Sequence, residues 1–155
     1  MAIKIQNAKR DRKKYMPILL LADEQENAIE QYLHRGDMYL LDNGGVKAEC
    51  IVTDEGNGIL ELKSIAVLSE HQHRWYGRYL VHFIVQKYKD DFCILRAGTG
   101  DSPLTIPFYR KCGFTESHRI KNFFTDHYDH PIFECGIQLI DMVYLERPLM
   151  ERPSD

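Results

Sequence analysis

An α/β (α+β) fold, with helices flanking a mixed sheet, follows from three features of this sequence. Strand-like apolar runs fill the stretch between residues 38 and 67, and glycine-rich turns punctuate them. One long 3.6-residue period occupies residues 72–89. Short strands return towards the C-terminal end. The chain has 155 residues, of which 44% are hydrophobic and 28% charged, so one domain over 1–155 with a real core is expected. Disordered and fibrous classes do not fit that composition.

The elements read in order as follows. Ile3 and Ile5 alternate with Lys4 and Gln6 in a short first strand. Asp11 is placed to cap a first helix to about Ala22, which Pro17 should kink or restart. Asp23 and Glu26 have capping-box spacing for a second helix, whose apolar stripe is Ile29, Tyr32 and Leu33 and which Gly36 ends. Met38–Leu41 is a strand, Asn43-Gly44-Gly45 a hairpin turn and Val46–Thr53 the return strand. A second turn over 54–58 leads to the strand Ile59–Val67. The long helix carries Tyr76, Leu80, Ile84 and Tyr88 on one face. Phe92–Ala97 reads as a buried strand and Gly98–Asp101 as a loop. Ser102–Lys111 reads as a helix that Pro107 breaks into two turns, with Gly113 closing it. Phe114–His118 and Gln138–Leu145 are the last strands, with a polar and aromatic segment, Arg119–Gly136, between them. The predicted order is β-α-α-β-β-β-α-β-α-β-β.

Charge and cysteine usage narrow the function classes. Lys and Arg total 20 against 23 Asp and Glu, a net charge of −3, so a dedicated nucleic-acid binder is not expected. The basic run Lys9–Lys14 reads as a solvated helix face. No apolar run approaches the length of a membrane span. Cys50, Cys93, Cys112 and Cys135 form no C-x-x-C pair, which argues against a zinc site and fits a reducing, cytoplasmic compartment. Asp126, His127, Asp129, His130, His118, Glu134 and Cys135 have no established ligand spacing, so no metal is expected.

Two passages carry chemistry. The loop Gln72-His73-Arg74-Trp75-Tyr76-Gly77-Arg78 joins a strand to a long helix. Unpartnered N–H groups and the helix dipole favour an anion there, and Arg74 and Arg78 add charge. The loop read alone is also an ordinary basic turn. The second passage is Ser102 to Phe114, where Tyr109 precedes the glycine stop. Read alone, Tyr109 is a core aromatic beside Phe108 and Phe114.

Together these passages resemble the GNAT (GCN5-related) N-acetyltransferases. Glu61–Val67 matches the strand that leads into that family's acyl-CoA loop. Gln72-x-x-Trp75-x-Gly77 meets its Q/R-x-x-G-x-G/A pattern at Gln72 and Gly77, and Tyr109-Arg110-Lys111-Cys112-Gly113-Phe114 matches its Y-x-x-x-G-F. The element order agrees over nearly the whole chain, and the segment from Phe123 to Pro131 looks like one branch of bacterial members. Trp75 stands where the family has its first glycine, and Ser102 where many members have asparagine.

The resemblance implies an acetyl-CoA-dependent N-acetyltransferase acting by direct transfer in a ternary complex. It implies that acetyl-CoA is held by Ile65, Ala66, Val67, Gln72, His73, Arg74, Trp75, Tyr76, Gly77, Arg78 and Ser102. Backbone groups of Ile65 and Val67 would pair with the pantetheine arm as an added strand does. A Lys-like amine has a pKa near ~10.4 and must lose a proton to attack. Glu61 matches the place of the family's strand carboxylate, although it reads equally as a solvated strand residue; Glu55 is a weaker substitute. Tyr109 would protonate the departing thiolate. The acceptor is a small-molecule or protein amine, and the acidic stretch Asp23, Glu24, Glu26 and Glu30 leans towards a cationic one. The segment 119–136 reads as an acceptor lid or an interface. A monomer or a homodimer fits equally. The reading from another class is a non-catalytic acyl-CoA sensor or partner-binding module on the same fold.

Overall fold

A computed structural model describes residues 3–23, 25–71 and 75–149. Seven strands form one sheet in the order β1-β2-β3-β4-β5-β9-β6. These are β1 (Lys4–Asn7), β2 (Asp37–Asp42), β3 (Val46–Asp54), β4 (Ile59–Val67), β5 (Ile94–Gly100), β6 (Thr115–Ile120) and β9 (Met142–Pro148). All neighbours are antiparallel except β4 and β5, which the long helix α3 (Tyr76–Tyr88) joins as a parallel crossover. A separate hairpin pairs β7 (Ile132–Glu134) with β8 (Ile137–Leu139).

Two cores lie on opposite faces of the sheet. On one, Leu41, Cys50, Val52, Leu60 and Leu62 meet α3 and α4 (Thr105–Lys111) through Leu80, Ile84 and Tyr109. On the other, Met38, Leu40 and Ile51 meet α1 (Met16–Ala22) and α2 (Glu26–Glu30) through Leu19 and Ile29. Side-chain alternation with a period of two sends neighbouring residues to opposite faces. In β4 that alternation breaks. Ile51 pairs with Ser64 while the next residue, Val52, pairs with Leu62, so Lys63 is an extra, bulged residue. Leu60 and Leu62 therefore face α3, whereas Ser64 and Ala66 face α1.

Several elements differ from the sequence reading. The first helix begins as a 3-10 turn, Arg12–Tyr15, and becomes α-helix at Met16 with Pro17 in its first turn, the restart expected. Asp11 gives no side-chain cap and takes φ 55°. Arg12 is buried rather than solvated: its guanidinium donates to the carbonyls of Ala8 (2.7 Å), Leu33 (2.7 Å) and Gly36 (2.9 Å). The second helix starts at Glu26 after Gln25 with no side-chain cap. Gly98, Thr99 and Gly100 continue β5 instead of forming a loop, because they pair with Tyr144, Val143 and Met142 of β9. The α4 helix starts at Thr105, and Pro107 sits unbroken in its first turn, where its missing N–H needs no partner. The 119–136 segment contains α5 (Phe123–His127), and the last predicted strand splits into β8 and β9.

Candidate active site

The site begins where two strands part. The parallel pairing of β4 with β5 runs from Ile59↔Ile94 to Leu62↔Ala97 and stops there, although β4 continues to Val67 and β5 to Gly100. A cavity of about 630 Å³ opens between them. It passes through the sheet. On the α3 side its wall includes Tyr76, Gly77, Arg78, Phe108 and Tyr109; on the α1 side it includes Leu21, Ala22, Asp23 and Ser64. A parted parallel pair leaves strand backbone that can accept an extended ligand as an added strand.

The structure brings most of the expected acyl-CoA contacts to this cavity. Ile65, Ala66 and Val67 line it from β4, and Trp75, Tyr76, Gly77 and Arg78 from the start of α3. Gln72, His73 and Arg74 lie outside the described residues. Trp75 holds the left-handed conformation, φ 66°, at the N-terminal boundary of α3 and is 77% exposed. That conformation is the physical reason for a glycine at the corresponding place in the family pattern, since a Cβ is disfavoured there. The Tyr76 hydroxyl accepts from Asn43 Nδ2 at 3.0 Å. Ser102 is a correction: it is buried, its Oγ accepts from the Leu104 N–H at 3.1 Å, and it does not line the cavity. Thr99, Gly100, Thr105 and Lys111 do.

Tyr109 lines the cavity and packs edge-to-face with Phe108 and Phe114, both at 5.3 Å between ring centres. Burial pushes its hydroxyl well above the ordinary tyrosine range, reinforced by Cys112, Glu134 and Glu49. It therefore keeps its proton through neutral pH. Burial also pushes the Cys112 thiol up, so it is poorly disposed to act as a nucleophile.

Glu61 is placed differently from the expectation. It is buried on β4 but does not line the cavity. Its oxygens accept from Arg96 Nε at 2.8 Å and Lys63 Nζ at 2.6 Å. Lys63 also reaches Glu55 at 3.8 Å, and Glu55 pairs with Arg35 at 2.7 Å. Burial alone would raise the Glu55 carboxyl, but the Thr53 hydroxyl, Lys63 and Arg35 outweigh it and hold it low. This is an ion-pair ladder along one sheet face, with both Glu61 oxygens committed to cations.

The segment after β6 covers the α1 end of the cavity. Phe124, Tyr128, Phe133 and Glu134 line it. Tyr128 donates to Asp23 Oδ1 at 3.0 Å, and Gln25 Nε2 donates to Asp129 Oδ1 at 2.6 Å. Asp23 and Glu134 thus put two carboxylates on this wall, whereas Glu26 and Glu30 do not reach it and Glu24 lies outside the described residues. His127 stacks on Phe123 and His118 on Tyr144; among the described residues no cluster of three His, Cys, Asp or Glu could hold a metal ion. Also among the described residues, no helix is long and apolar enough to cross a membrane.

Glu49 does not itself line the cavity but is joined to it through Ser64, and periodicity gives no reason to single it out. It is fully buried on β3 and accepts from the Ser64 hydroxyl at 2.6 Å. The available signal is a lone carboxylate inside the apolar run Ala48-Glu49-Cys50-Ile51-Val52.

Comparison with known proteins agrees with this geometry. The family profile described as "Acetyltransferase (GNAT) domain" matches residues 34–116. The chain is 36% identical over 131 residues to the uncharacterized N-acetyltransferase YvbK of Bacillus subtilis (strain 168), covering 83% of this chain and 84% of that protein. A Bacillus subtilis acetyltransferase in complex with CoA superposes with a TM-score of 0.88 at 31% identity, covering 96% of this chain and 100% of the other. A GNAT family acetyltransferase from Elizabethkingia anophelis with acetyl-CoA bound also gives 0.88, at 32% identity over 94% and 97% of the two chains. The chain belongs to the GNAT family and is an acetyl-CoA-dependent N-acetyltransferase.

Proposed function

We propose that this protein, as one domain, transfers the acetyl group directly to a primary amine that bears a positive charge and an apolar or aromatic body. The cavity that passes between the parted strands carries this reading. Acetyl-CoA supplies the activated acetyl group. Backbone of Ile65 and Val67 would hold its pantetheine arm, and Arg78 with the start of α3 its pyrophosphate. Tyr109, protonated at neutral pH, is the acid that meets the leaving thiolate. The acceptor enters from the α1 side. Asp23 and Glu134 attract an ammonium group there, and Phe124, Tyr128 and Phe133 offer an apolar wall. The 119–136 segment is then the acceptor-side cover. The bacillar relative fits a bacterial-type, cytoplasmic enzyme.

Release of thiol from acetyl-CoA with a panel of primary amines tests the reading. Turnover of aromatic or alkyl amines in preference to acidic amino acids is the expected result. Tight acetyl-CoA binding with no thiol release from any amine would instead favour the non-catalytic sensor.

A further inference from the structure

We propose that Glu49, reached through the Ser64 hydroxyl, is the terminal acceptor of the proton lost by the amine. The inference rests on the acyl-transfer reading above and replaces Glu61 in that role.

The bulge at Lys63 turns Ser64 onto the α1 face, where it lines the acceptor half of the cavity. From there its hydroxyl donates to Glu49 Oε1 at 2.6 Å. Glu49 is fully buried, and no cation pairs with it among the described residues. Its second oxygen, Oε2, is buried and makes no hydrogen bond to a described residue, and the Tyr32 hydroxyl approaches Ser64 from the same side. A buried carboxylate without a cation or a full set of donors is destabilising, so a fold that keeps one retains it for another reason. The groups that act electrostatically with it are Tyr32 after α2, Cys50 beside it on β3 and Tyr109 on α4; Asp23 and Tyr128 lie beyond Tyr32. None of these is a cation. Burial raises the Glu49 carboxyl to about 8, with the Ser64 hydrogen bond opposing. A base poised there is matched to neutral operation.

The step balances. The acceptor ammonium gives a proton to Ser64 Oγ as the Ser64 hydroxyl proton passes to Glu49 Oε1. The freed nitrogen lone pair forms the N–C bond at the thioester carbonyl, and the C–S bond breaks. The thiolate takes the Tyr109 proton. The acylated nitrogen still carries one proton more than the amide keeps; it passes to the Tyr109 phenolate, which leaves a neutral amide and restores Tyr109, while Glu49 releases its proton to solvent.

Glu49→Gln and Ser64→Ala are compared with wild type in three measurements. Acetyl-CoA binding by calorimetry should be nearly unchanged in both. Thiol release with 2-phenylethylamine should fall roughly a hundred-fold or more, and the acidic limb of the kcat/KM profile should vanish. Aniline, already neutral at pH 7, should lose far less rate, a split that a merely structural role does not produce. Infrared spectra of ligand-free wild type should show a buried carboxyl band that disappears with a midpoint near pH 8 and is absent from Glu49→Gln. Retention of the rate and acidic limb by Glu49→Gln, or no such band in wild type, overturns the inference alone. Wild type that binds no acetyl-CoA, or releases no thiol with any amine, overturns the acyl-transfer reading and this inference with it.

Discussion

A Cβ on Gly77 would lie 2.9 Å from Cε1 of the Phe108 ring, closer than real Cβ contacts come. Gly77 is thus needed for the approach of α3 to α4 at the cavity wall. Gly77→Ala should push the Phe108 ring into the cavity. We expect acetyl-CoA affinity to fall about ten-fold, roughly 1.4 kcal/mol, with the Tm changed by a few degrees only. Calorimetric titration with acetyl-CoA checks this, and undiminished affinity would refute it.

Tyr109→Phe removes one hydroxyl and keeps the ring packing with Phe108 and Phe114. The expected outcome is a kcat lowered roughly ten- to a thousand-fold with acetyl-CoA affinity nearly kept. Steady-state kinetics with any accepted amine decide it. An unchanged kcat would remove Tyr109 from the chemistry.

Glu49 also makes stability depend on pH. Its folded carboxyl titrates at about 8 against an ordinary value of 4.5. The folded state therefore keeps a proton that the unfolded chain has already released. Stability is highest below pH 4.5 on this account, falls as pH rises to about 8, and is flat above. The loss is on the order of a few kcal/mol. Thermal melts at pH 5 and pH 9 should show a falling Tm for wild type and a much smaller fall for Glu49→Gln. Equal slopes would contradict the shift.

Trp75 sits at φ 66° with its side chain largely in solvent. Trp75→Gly should be neutral or stabilising by up to about 1 kcal/mol, because glycine adopts that conformation without the Cβ conflict. Trp75→Val should destabilise by about 1 kcal/mol or more, since β-branching worsens the conflict. Urea unfolding of both variants separates these outcomes.

Arg12 joins three carbonyls from β1's end and the turn before β2. Arg12→Ala should cost roughly 2–4 kcal/mol, as buried acceptors lose charged donors. Activity per folded molecule should be preserved. Denaturant melts and rates at saturating acetyl-CoA test both halves.

Much of the framework was legible. The strand Ile59–Val67 has the predicted bounds, and the hairpins at Asn43–Gly45 and 54–58 lie where glycine and asparagine make positive φ inexpensive. Tyr109 and the described flanks of the β4-to-α3 connection, Val67, His71 and Trp75, line one cavity. The continuation of β5 through Gly98–Gly100 was hidden, because glycines read as loop unless a partner strand supplies their hydrogen bonds. The hairpin of β7 and β8 was hidden by its polar setting; its register forms around Ile132 and Leu139, which bury against Phe124.

By itself the sequence determined the order of elements as far as β6, the family and the tyrosine-bearing helix, since local periodicity and turn chemistry act over a few residues. Only the tertiary structure decided the fates of the carboxylates. Glu61 meets Arg96 from a strand 35 residues away and becomes part of an ion-pair ladder. Glu49 meets Ser64 because one bulged residue, Lys63, reverses which face of β4 each later side chain occupies. Alternation within one strand fixes relative faces only; the bulge, the register and the parting of β4 from β5 fix which face opens on the cavity.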